Sequence, residues 1–253
     1  MDVQLPQYVR ELSDGEAFSF RCHKDLPCFT NCCRDLELAL TPYDVLRLKN
    51  ALHIKSDEFL YRYVIIEKEE SETFPRFYLT MVDDGRASCP FITADGCKAY
   101  DNRPGACRTY PLGRAVSENA DGHKEEFHVL LTESHCRGFD ATTRFTVQTW
   151  NTDQDLLLYN ELNDAVLSLL HHKKVKQGER LRKEQTDLFT LALYDLDKFR
   201  QVIQQKNFSS PLPETRHTIQ PGIEDDTVLL RFAVNWLKNE LFGETERCEP
   251  LFS

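Results

Sequence analysis

The distribution of cysteines constrains this chain more than any other feature of its sequence. Eight of its nine cysteines fall into two groups, and the ninth, Cys248, stands alone near the C-terminus. The first group consists of Cys22, Cys28, Cys32 and Cys33. The second group consists of Cys89, Cys97, Cys107 and Cys136. Thiolates favour zinc, copper(I) and iron–sulfur centres over hard cations such as magnesium, so the pattern predicts a site for a transition metal, zinc or iron.

The spacing of the first group bears on how many sites the cysteines form. Its four thiols lie within twelve residues, so they can converge on one ion without help from distant chain. The adjacent pair Cys32-Cys33 complicates this, because neighbouring side chains point to opposite faces of a strand and about 100° apart on a helix. The eight cysteines therefore make two four-thiolate sites, or one complete site with spare redox or catalytic thiols. His23 and His135 each adjoin a cysteine and are further candidate ligands, since imidazole also binds zinc and Rieske-type iron.

Charged and small residues flank the cysteines as a metal–thiolate centre requires. Four thiolates around zinc or an iron–sulfur cluster carry net negative charge, so compensating donors are expected nearby. The arginines that directly adjoin a cysteine are Arg21, Arg34, Arg108 and Arg137. Arginine beside cysteine also lowers the thiol pKa, which assists metal binding and nucleophilicity alike. We expect Gly96 and Gly105 to let the backbone approach a cluster.

Buried apolar cysteines and a disulfide framework are the alternative interpretations. Residues 1–6 have neither the basic flank nor the apolar run of a secretion signal, and no apolar run is long enough to cross a bilayer. We therefore expect a cytoplasmic protein outside the membrane, where clustered cysteines bind metal more often than they form disulfides. The formal net charge of -10 repels phosphate backbones, so we expect no nucleic-acid partner, although a local basic patch stays open.

Common catalytic motifs give no support to other functions. The sequence contains no Gly-x-Gly-x-x-Gly, Walker phosphate loop, His-Glu-x-x-His or Gly-x-Ser-x-Gly motif, so nucleotide-binding, zincin and esterase functions lack support. The paired acids Asp83-Asp84 and Asp225-Asp226 are expected to be solvated or to cap turns and helices. His171-His172 precedes several lysines, and we expect a solvated helix end there.

The pattern of apolar residues predicts an α+β fold, with a cysteine-cluster region of helices and short strands at residues 1–145 and a mainly helical C-terminal region at residues 146–253. Thr41 and Pro42 predict a helix that begins at Pro42 and ends near Leu52. A second helix is predicted to begin at Ser56.

Strands are predicted later in the cysteine region. Residues 77–82 are rich in aromatic and aliphatic side chains and end at a turn, as a short strand does. Residues 113–116 are expected to pair with residues 127–131, with the bend at residues 119–122.

Apolar stripes predict three helices in the C-terminal region. They extend over residues 158–169, 188–199 and 229–241, and the stripes are expected to form core, Trp236 included. The longest predicted loop, residues 207–226, would be a lid or a connector.

Four sequence blocks resemble the YkgJ family of cysteine-cluster proteins. The blocks are Cys28-Phe-Thr-Asn-Cys32-Cys33-Arg34, Cys89-Pro-Phe-Ile, Gly96-Cys97-Lys-Ala-Tyr100 and Arg103-Pro-Gly-Ala-Cys107-Arg108-Thr-Tyr110-Pro111. The resemblance covers residues 18–138, although the usual Cys-x-x-Cys-x-x-Cys-Cys core is stretched to five and three intervening residues here. It implies a zinc- or iron-chelating domain in which the cysteines of these blocks are ligands, with His135-Cys136-Arg137-Gly138 as the closing block.

Two hypotheses from different classes follow. The leading one is a nonenzymatic metal-binding module whose thiolate–metal bonds hold loops and short strands together, with the helical region supporting it or recruiting a protein partner. The alternative is an iron–sulfur enzyme that modifies a protein side chain, which the cysteine pattern shared with bacterial flagellin lysine methylase suggests. A redox-sensing role is a third hypothesis, since exposed thiols of low pKa oxidise readily.

Overall fold

The computed structural model of the chain describes residues 5–118, 124–205 and 224–244. Helices predominate, and the strands form small antiparallel sheets, so the predicted α+β class is confirmed. None of the helices in these ranges combines the length and the apolar character that a bilayer span requires.

The chain divides into two compact units, and each unit takes two separate stretches of sequence. Unit 1 consists of residues 1–36 and 81–158, and unit 2 of residues 37–80 and 159–253. Both cysteine groups lie in unit 1. The segment between the groups, residues 37–80, packs with the C-terminal helices in unit 2. The predicted regions 1–145 and 146–253 were drawn from sequence character, and that division stays a prediction.

A three-stranded antiparallel sheet is the largest sheet of unit 1. It has the order β1-β8-β7, with β1 at Val9–Glu11, β7 at Leu112–Glu118 and β8 at Lys124–Leu131. Gly113 faces Val129 across the sheet, which confirms the predicted pairing. The predicted bend at residues 119–122 lies outside the described residues.

Shorter elements surround this sheet. They are strand β2 (Phe18–Ser19), which pairs with β9 (Arg144–Phe145), strand β5 (Ile92–Thr93), which pairs with β6 (Gly96–Cys97), and helices α3 (Gly105–Thr109) and α4 (Val147–Asp153). Such short pairs bury little by themselves, so side-chain packing must hold them.

An aromatic cluster supplies that packing in unit 1. The buried ring of Phe20 lies edge-on to Tyr110, Phe139 and Trp150, at centroid distances of 5.7, 5.2 and 5.6 Å. The indole Nε1 of Trp150 donates a hydrogen bond to the carbonyl of Thr109, 3.0 Å away. The cluster thereby joins β2, the end of α3 and α4.

Unit 2 begins with the two helices that the sequence predicts. Helix α1 extends over Pro42–Ala51, and its capping box is formed by Thr41 and Asp44. The Thr41 Oγ1 accepts from the Asp44 amide at 3.3 Å, and an Asp44 carboxylate oxygen accepts from the Thr41 amide at 2.8 Å. Helix α2 occupies Ser56–Tyr63.

The strand predicted at residues 77–82 is shifted toward the N-terminus. Strand β4 occupies Arg76–Leu79 and pairs with β3 at Val64–Glu67. The pairing ends where Leu79 faces Val64, at the end of α2, so the strand cannot continue to residue 82. Strand β3 was not predicted, because its residues directly continue the apolar pattern of α2.

Five helices follow in unit 2 among the described residues. They are α5 (Leu157–Leu170, whose first two residues belong to unit 1), α6 (Lys173–Lys176), α7 (Lys183–Leu193), α8 (Leu196–Gln204) and α9 (Asp226–Phe242). Most residues of the predicted stripes are core: Leu162, Leu169 and Phe199 are fully buried, and Trp236 is buried as well. The exceptions are Leu158, Leu188 and Leu191, which are half-buried. Most of the predicted loop at residues 207–226 lies outside the described residues.

The prediction of one helix over residues 188–199 was wrong. The helix stops at Leu193, and α8 begins at Leu196. Tertiary contacts favour the break: the Tyr194 hydroxyl donates to the Leu40 carbonyl at 3.2 Å, and an Asp195 carboxylate oxygen accepts from the Ser56 hydroxyl at 2.7 Å.

The prediction of a solvated His171-His172 was wrong for one of the two residues. His171 is exposed, but His172 is buried and stacks on Phe242 with ring centroids 3.8 Å apart. Its Nδ1 accepts from the Lys174 amide at 3.2 Å, and its Nε2 lies 2.8 Å from a Glu244 carboxylate oxygen. Nε2 therefore carries the proton, because Nδ1 acts as the acceptor.

The paired acids behave largely as predicted. Asp225 caps α9, since its carboxylate accepts from the amides of Thr227 and Val228 at 2.7 and 3.0 Å. Asp84 accepts from the Arg86 amide at 3.0 Å within a turn. Asp226 instead forms an ion pair with Arg200 in unit 2.

Candidate metal centre

The first cysteines follow directly from β2. After that strand, the Arg21 amide donates to the Gly138 carbonyl at 2.9 Å, so Cys22 lies beside the segment that carries Cys136. The amide of Arg137 donates to the Cys28 sulfur at 3.2 Å. Two backbone groups of one segment therefore hold the beginning and the middle of the first cysteine group.

Cys32 and Cys33 occupy a 3-10 turn at Asn31–Cys33, which follows a left-handed Thr30. The two thiols hydrogen-bond to each other. The Cys89 amide donates to the Cys33 carbonyl at 2.9 Å, which links the turn to the second cysteine group.

A tight hairpin presents Cys89 and Cys97. The Ile92 amide donates to the Cys89 carbonyl at 3.1 Å, and Ile92 faces Cys97 in the β5–β6 pair. Gly96 has φ +115°, and a Cβ there would lie 3.1 Å from the Phe29 ring. The turn therefore requires glycine for its own backbone and for Phe29, which is a different reason from the predicted approach to a cluster.

Cys107 lies on α3, directly before a deeply buried arginine. The guanidinium of Arg108 donates to the carbonyls of Gln154 at 2.7 Å, Arg103 at 3.3 Å and Asp101. Arg108 thus ties α3 to the segments around it. The predicted role in compensating thiolate charge is not needed to explain its burial.

Arg34 and Arg103 are two arginines whose charge acts on thiols. Arg34 lowers the pKa of Cys32, although less than other groups do. Arg103 interacts electrostatically with Cys107 and Cys97, and it stacks on Tyr100 with its guanidinium carbon 4.0 Å from the ring centroid. Sequence reasoning overlooked Arg103 as a charge partner because it does not adjoin a cysteine.

The thiols of the first group oppose one another's ionisation. Burial, followed by the charges of Cys32, Cys136 and Cys28, raises the pKa of Cys22 to about 11. By contrast, the hydrogen bond from Cys33 is the main cause that lowers the pKa of Cys32 to about 7. Cys32 is therefore the thiol of this turn that ionises first.

The pKa values of Cys33 in the first group and of two thiols in the second group are raised as well. The hydrogen bond with Cys32, then burial, raises the pKa of Cys33, and the charges of Cys107 and Cys89 add to the effect. Burial also raises the pKa of Cys89 and of Cys97. Such thiols become thiolates when a cation supplies the missing positive charge, since metal binding releases their protons.

All eight grouped cysteines are free thiols, and each is half-buried or exposed. This argues against the two alternative interpretations, a disulfide framework and buried apolar packing. Cys248 lies outside the described residues. The eight thiols therefore stay available as ligands.

The arrangement of the thiols is looser than a coordination shell. Across residues 5–118, 124–205 and 224–244, no group of three or more Cys, His, Asp and Glu side chains is arranged as ligands of one ion. The chemistry of the donors fits zinc or iron nevertheless, because clustered thiols are the ligands these metals take in tetrahedral and cluster sites.

The two candidate histidines lie beside carboxylates. His23 Nδ1 is 3.6 Å from an Asp25 oxygen, and His135 Nε2 is 3.9 Å from a Glu133 oxygen. Both side chains are more than two-fifths exposed. Their role as ligands stays a prediction.

Tyr110 is a neighbour of the thiols that sequence reasoning did not consider as part of the site. Burial, then contact with Cys136, raises the pKa of its phenol. The hydroxyl is shielded from solvent next to Cys136 and Glu133, without a well-directed hydrogen bond to either. Its signal in the sequence is the block Cys107-Arg108-Thr-Tyr110-Pro111.

Free thiols gathered from separate segments of one α+β unit define a cysteine-cluster protein. The sequence model of the CxxCxxCC family, described as a putative zinc- or iron-chelating domain, matches residues 21–143. This match confirms the resemblance of these residues to the YkgJ family of cysteine-cluster proteins. No significant match was found among curated proteins or among solved structures.

Proposed function

We propose that this protein binds zinc or iron through eight cysteine thiolates of unit 1 and acts as a metal-binding module without catalytic activity of its own. The proposed ligands are Cys22, Cys28, Cys32, Cys33, Cys89, Cys97, Cys107 and Cys136. The observation that carries the proposal is the gathering of these thiols, all free and none of them buried, from separate segments of one unit.

The electrostatics of the thiols favour a resident cation. Raised thiol pKa values at Cys22, Cys33, Cys89 and Cys97 mean that the protein alone does not stabilise several thiolates together. A bound cation would stabilise them and draw the thiols together, so that short strands and loops are held by metal–sulfur bonds as in structural metal sites. Such thiols stay reduced in the cytoplasm, the compartment that we propose.

Metal and acid-labile sulfide analysis of protein purified without oxygen tests the proposal. Zinc without sulfide would support a mononuclear binding module, and iron with matching sulfide would show an iron–sulfur cluster and direct attention to redox or side-chain-modifying chemistry. Protein that holds neither metal, even after reconstitution under reducing conditions, would refute the proposal.

A matched pair of variants separates ligand loss from general damage. Cys89→Ser should reduce bound metal per chain, whereas Ser88→Ala at the preceding residue should leave it unchanged. Equal metal in the two variants would remove Cys89 from the ligand set.

A further inference from the structure

We infer that the eight cysteines form two separate four-thiolate metal sites rather than one site with spare thiols. Site A consists of Cys22, Cys28, Cys32 and Cys136. Site B consists of Cys33, Cys89, Cys97 and Cys107. This assignment rests on the proposed function and specifies which thiols share an ion or cluster.

Backbone contacts assemble site A. The Arg21 amide bonds to the Gly138 carbonyl at 2.9 Å, and the Arg137 amide bonds to the Cys28 sulfur at 3.2 Å. Both contacts go to the two residues that follow Cys136, so Cys22 and Cys28 lie beside the segment that carries Cys136. Close packing fixes this segment, since a Cβ on Gly138 would lie 2.5 Å from the Phe20 ring.

A different set of contacts assembles site B. The Cys33 carbonyl accepts from the Cys89 amide at 2.9 Å, and the Cys89 carbonyl accepts from the Ile92 amide at 3.1 Å. Ile92 in turn faces Cys97 across the β5–β6 pair. These three links form a continuous path from Cys33 to Cys97.

The electrostatic neighbours of the thiols follow the same division except at the adjacent pair Cys32 and Cys33, which act on each other. Cys22 interacts with the other three thiols of site A. Beyond Cys32, the thiols that act on Cys33 are Cys107 and Cys89, and Cys89 interacts with Cys97. Arg103 acts on Cys97 and Cys107 together, so it provides positive charge for site B.

The boundary between the sites falls within the Asn31–Cys33 turn. Successive side chains of a 3-10 helix point about 120° apart, since the helix has about three residues per turn. Cys32 can therefore face site A while Cys33 faces site B. The hydrogen bond from Cys33 to Cys32 would be lost on metal loading, because the Cys33 thiol gives up the proton that it donates.

Double substitutions that remove two thiols at a time test the assignment. The measurement is the amount of metal bound per chain after every variant has been exposed to the same concentration of a chelator of zinc and iron. The within-site variants are C22S/C136S for site A and C89S/C97S for site B. The crossed variant C136S/C97S removes the same number of thiols, one from each site.

We expect each within-site variant to keep about half of the wild-type metal, because the other site retains its four thiolates. The crossed variant should keep less than either, since both of its sites are incomplete. Two outcomes would overturn the assignment: both within-site variants lose all metal, as one shared site requires, or one of them loses none, as spare thiols require. Wild-type protein without metal would instead refute the proposed function.

Stepwise metal removal from the unaltered chain provides a second measurement that does not depend on the folding of variants. After each addition of chelator, free thiols are alkylated and located by mass spectrometry. The four thiols of site A should become labelled together, and those of site B together but at a different chelator concentration or rate. The division would be contradicted if Cys32 and Cys33 became labelled in the same step, or if all eight thiols became labelled in one step.

Discussion

At the scale of single residues, Arg108 is the cysteine-flanking arginine whose role the structure defines most clearly. Its side chain is buried, with the residue 5% exposed, and donates hydrogen bonds to the backbone carbonyls of three residues. The planar guanidinium of arginine can donate hydrogen bonds in several fixed directions at once. The ammonium group of lysine, on its flexible chain, cannot reproduce that arrangement of donors. The residue after Cys107 therefore stabilises the fold of unit 1.

Arg108→Lys should lower the free energy of unfolding by about 1 to 3 kcal/mol, because a buried side chain loses hydrogen bonds to three backbone carbonyls while the positive charge is retained. Arg21→Lys is the matched control, since Arg21 also adjoins a cysteine but is exposed. Chemical denaturation measures both variants. Equal stability of the two would show that the Arg108 hydrogen bonds contribute little.

Gly96→Ala tests the hairpin that presents Cys97. The positive φ of Gly96 alone costs a non-glycine residue about 1 to 2 kcal/mol, and contact with Phe29 adds to this. We expect reduced stability and reduced metal content together, as judged by thermal melting and metal analysis. Asp95→Ala, at an exposed position of the same turn, should change neither quantity. A similar loss in that control would contradict the glycine argument.

At the scale of elements, the end of α5 illustrates how one side chain can join two helices. His172 caps α6 through Nδ1 and reaches Glu244 through Nε2, while its ring stacks on Phe242 of α9. His172→Ala should lower the free energy of unfolding by about 2 to 4 kcal/mol, since it removes a buried ring and both hydrogen bonds. His171→Ala, at an exposed position, should change stability by less than about 0.5 kcal/mol in the same denaturation experiment.

A buried ion pair joins α1, α2 and α8 in unit 2. The Lys49 Nζ, 5% exposed, lies 3.0 Å from an Asp197 oxygen, and the Ser56 amide donates to Asp197 at 2.8 Å. Arg200 also contacts Asp197, at 3.2 Å. Partial burial acts to raise the pKa of Asp197, but the hydrogen bonds from Ser56 and Lys49 outweigh it, so the net pKa is lowered from its ordinary value of 3.8.

Asp197→Asn should therefore destabilise the protein at neutral pH by about 2 kcal/mol, since a charged hydrogen-bond acceptor is lost. A lowered folded-state pKa adds stability that is present above the ordinary pKa and disappears as pH falls through the folded-state value. The difference in free energy of unfolding between wild type and variant should accordingly shrink below pH 3.8. Denaturation curves at pH 7 and pH 3 measure this difference. A difference that does not depend on pH would refute the role of the carboxylate charge.

At the scale of the whole molecule, the eight grouped cysteines belong to one unit and the longer helices mainly to the other. Metal removal by a chelator under reducing conditions should lower the melting temperature of unit 1, because a ligand that binds the folded state stabilises it by about 4 kcal/mol at a thousandfold excess over its dissociation constant. Calorimetry should show two transitions, of which the chelator shifts one. An unchanged melting curve in protein that has lost its metal would exclude a structural role for the metal.

Much of the fold could be predicted from sequence because its signals are local. Thr41, Pro42 and Asp44 lie within one helical turn, so their capping box can be recognised without knowledge of the rest of the chain. The apolar stripes of α5 and α9 depend on the same short-range periodicity. The break at Tyr194 and Asp195 could not be predicted, since their partners, Leu40 and Ser56, lie far away in the sequence.

The candidate site likewise has features that local sequence predicts and features that depend on distant contacts. The sequence by itself predicted the donor set and its chemistry, because the identity of a side chain and the motif around it are properties of the chain. Tertiary structure alone decided which cysteine-bearing segments meet: the Cys28 sulfur accepts from the amide of Arg137, and the Cys33 carbonyl accepts from the amide of Cys89. Those neighbours are brought together by strand pairing and aromatic packing between distant segments, and spacing along the chain carries no record of either.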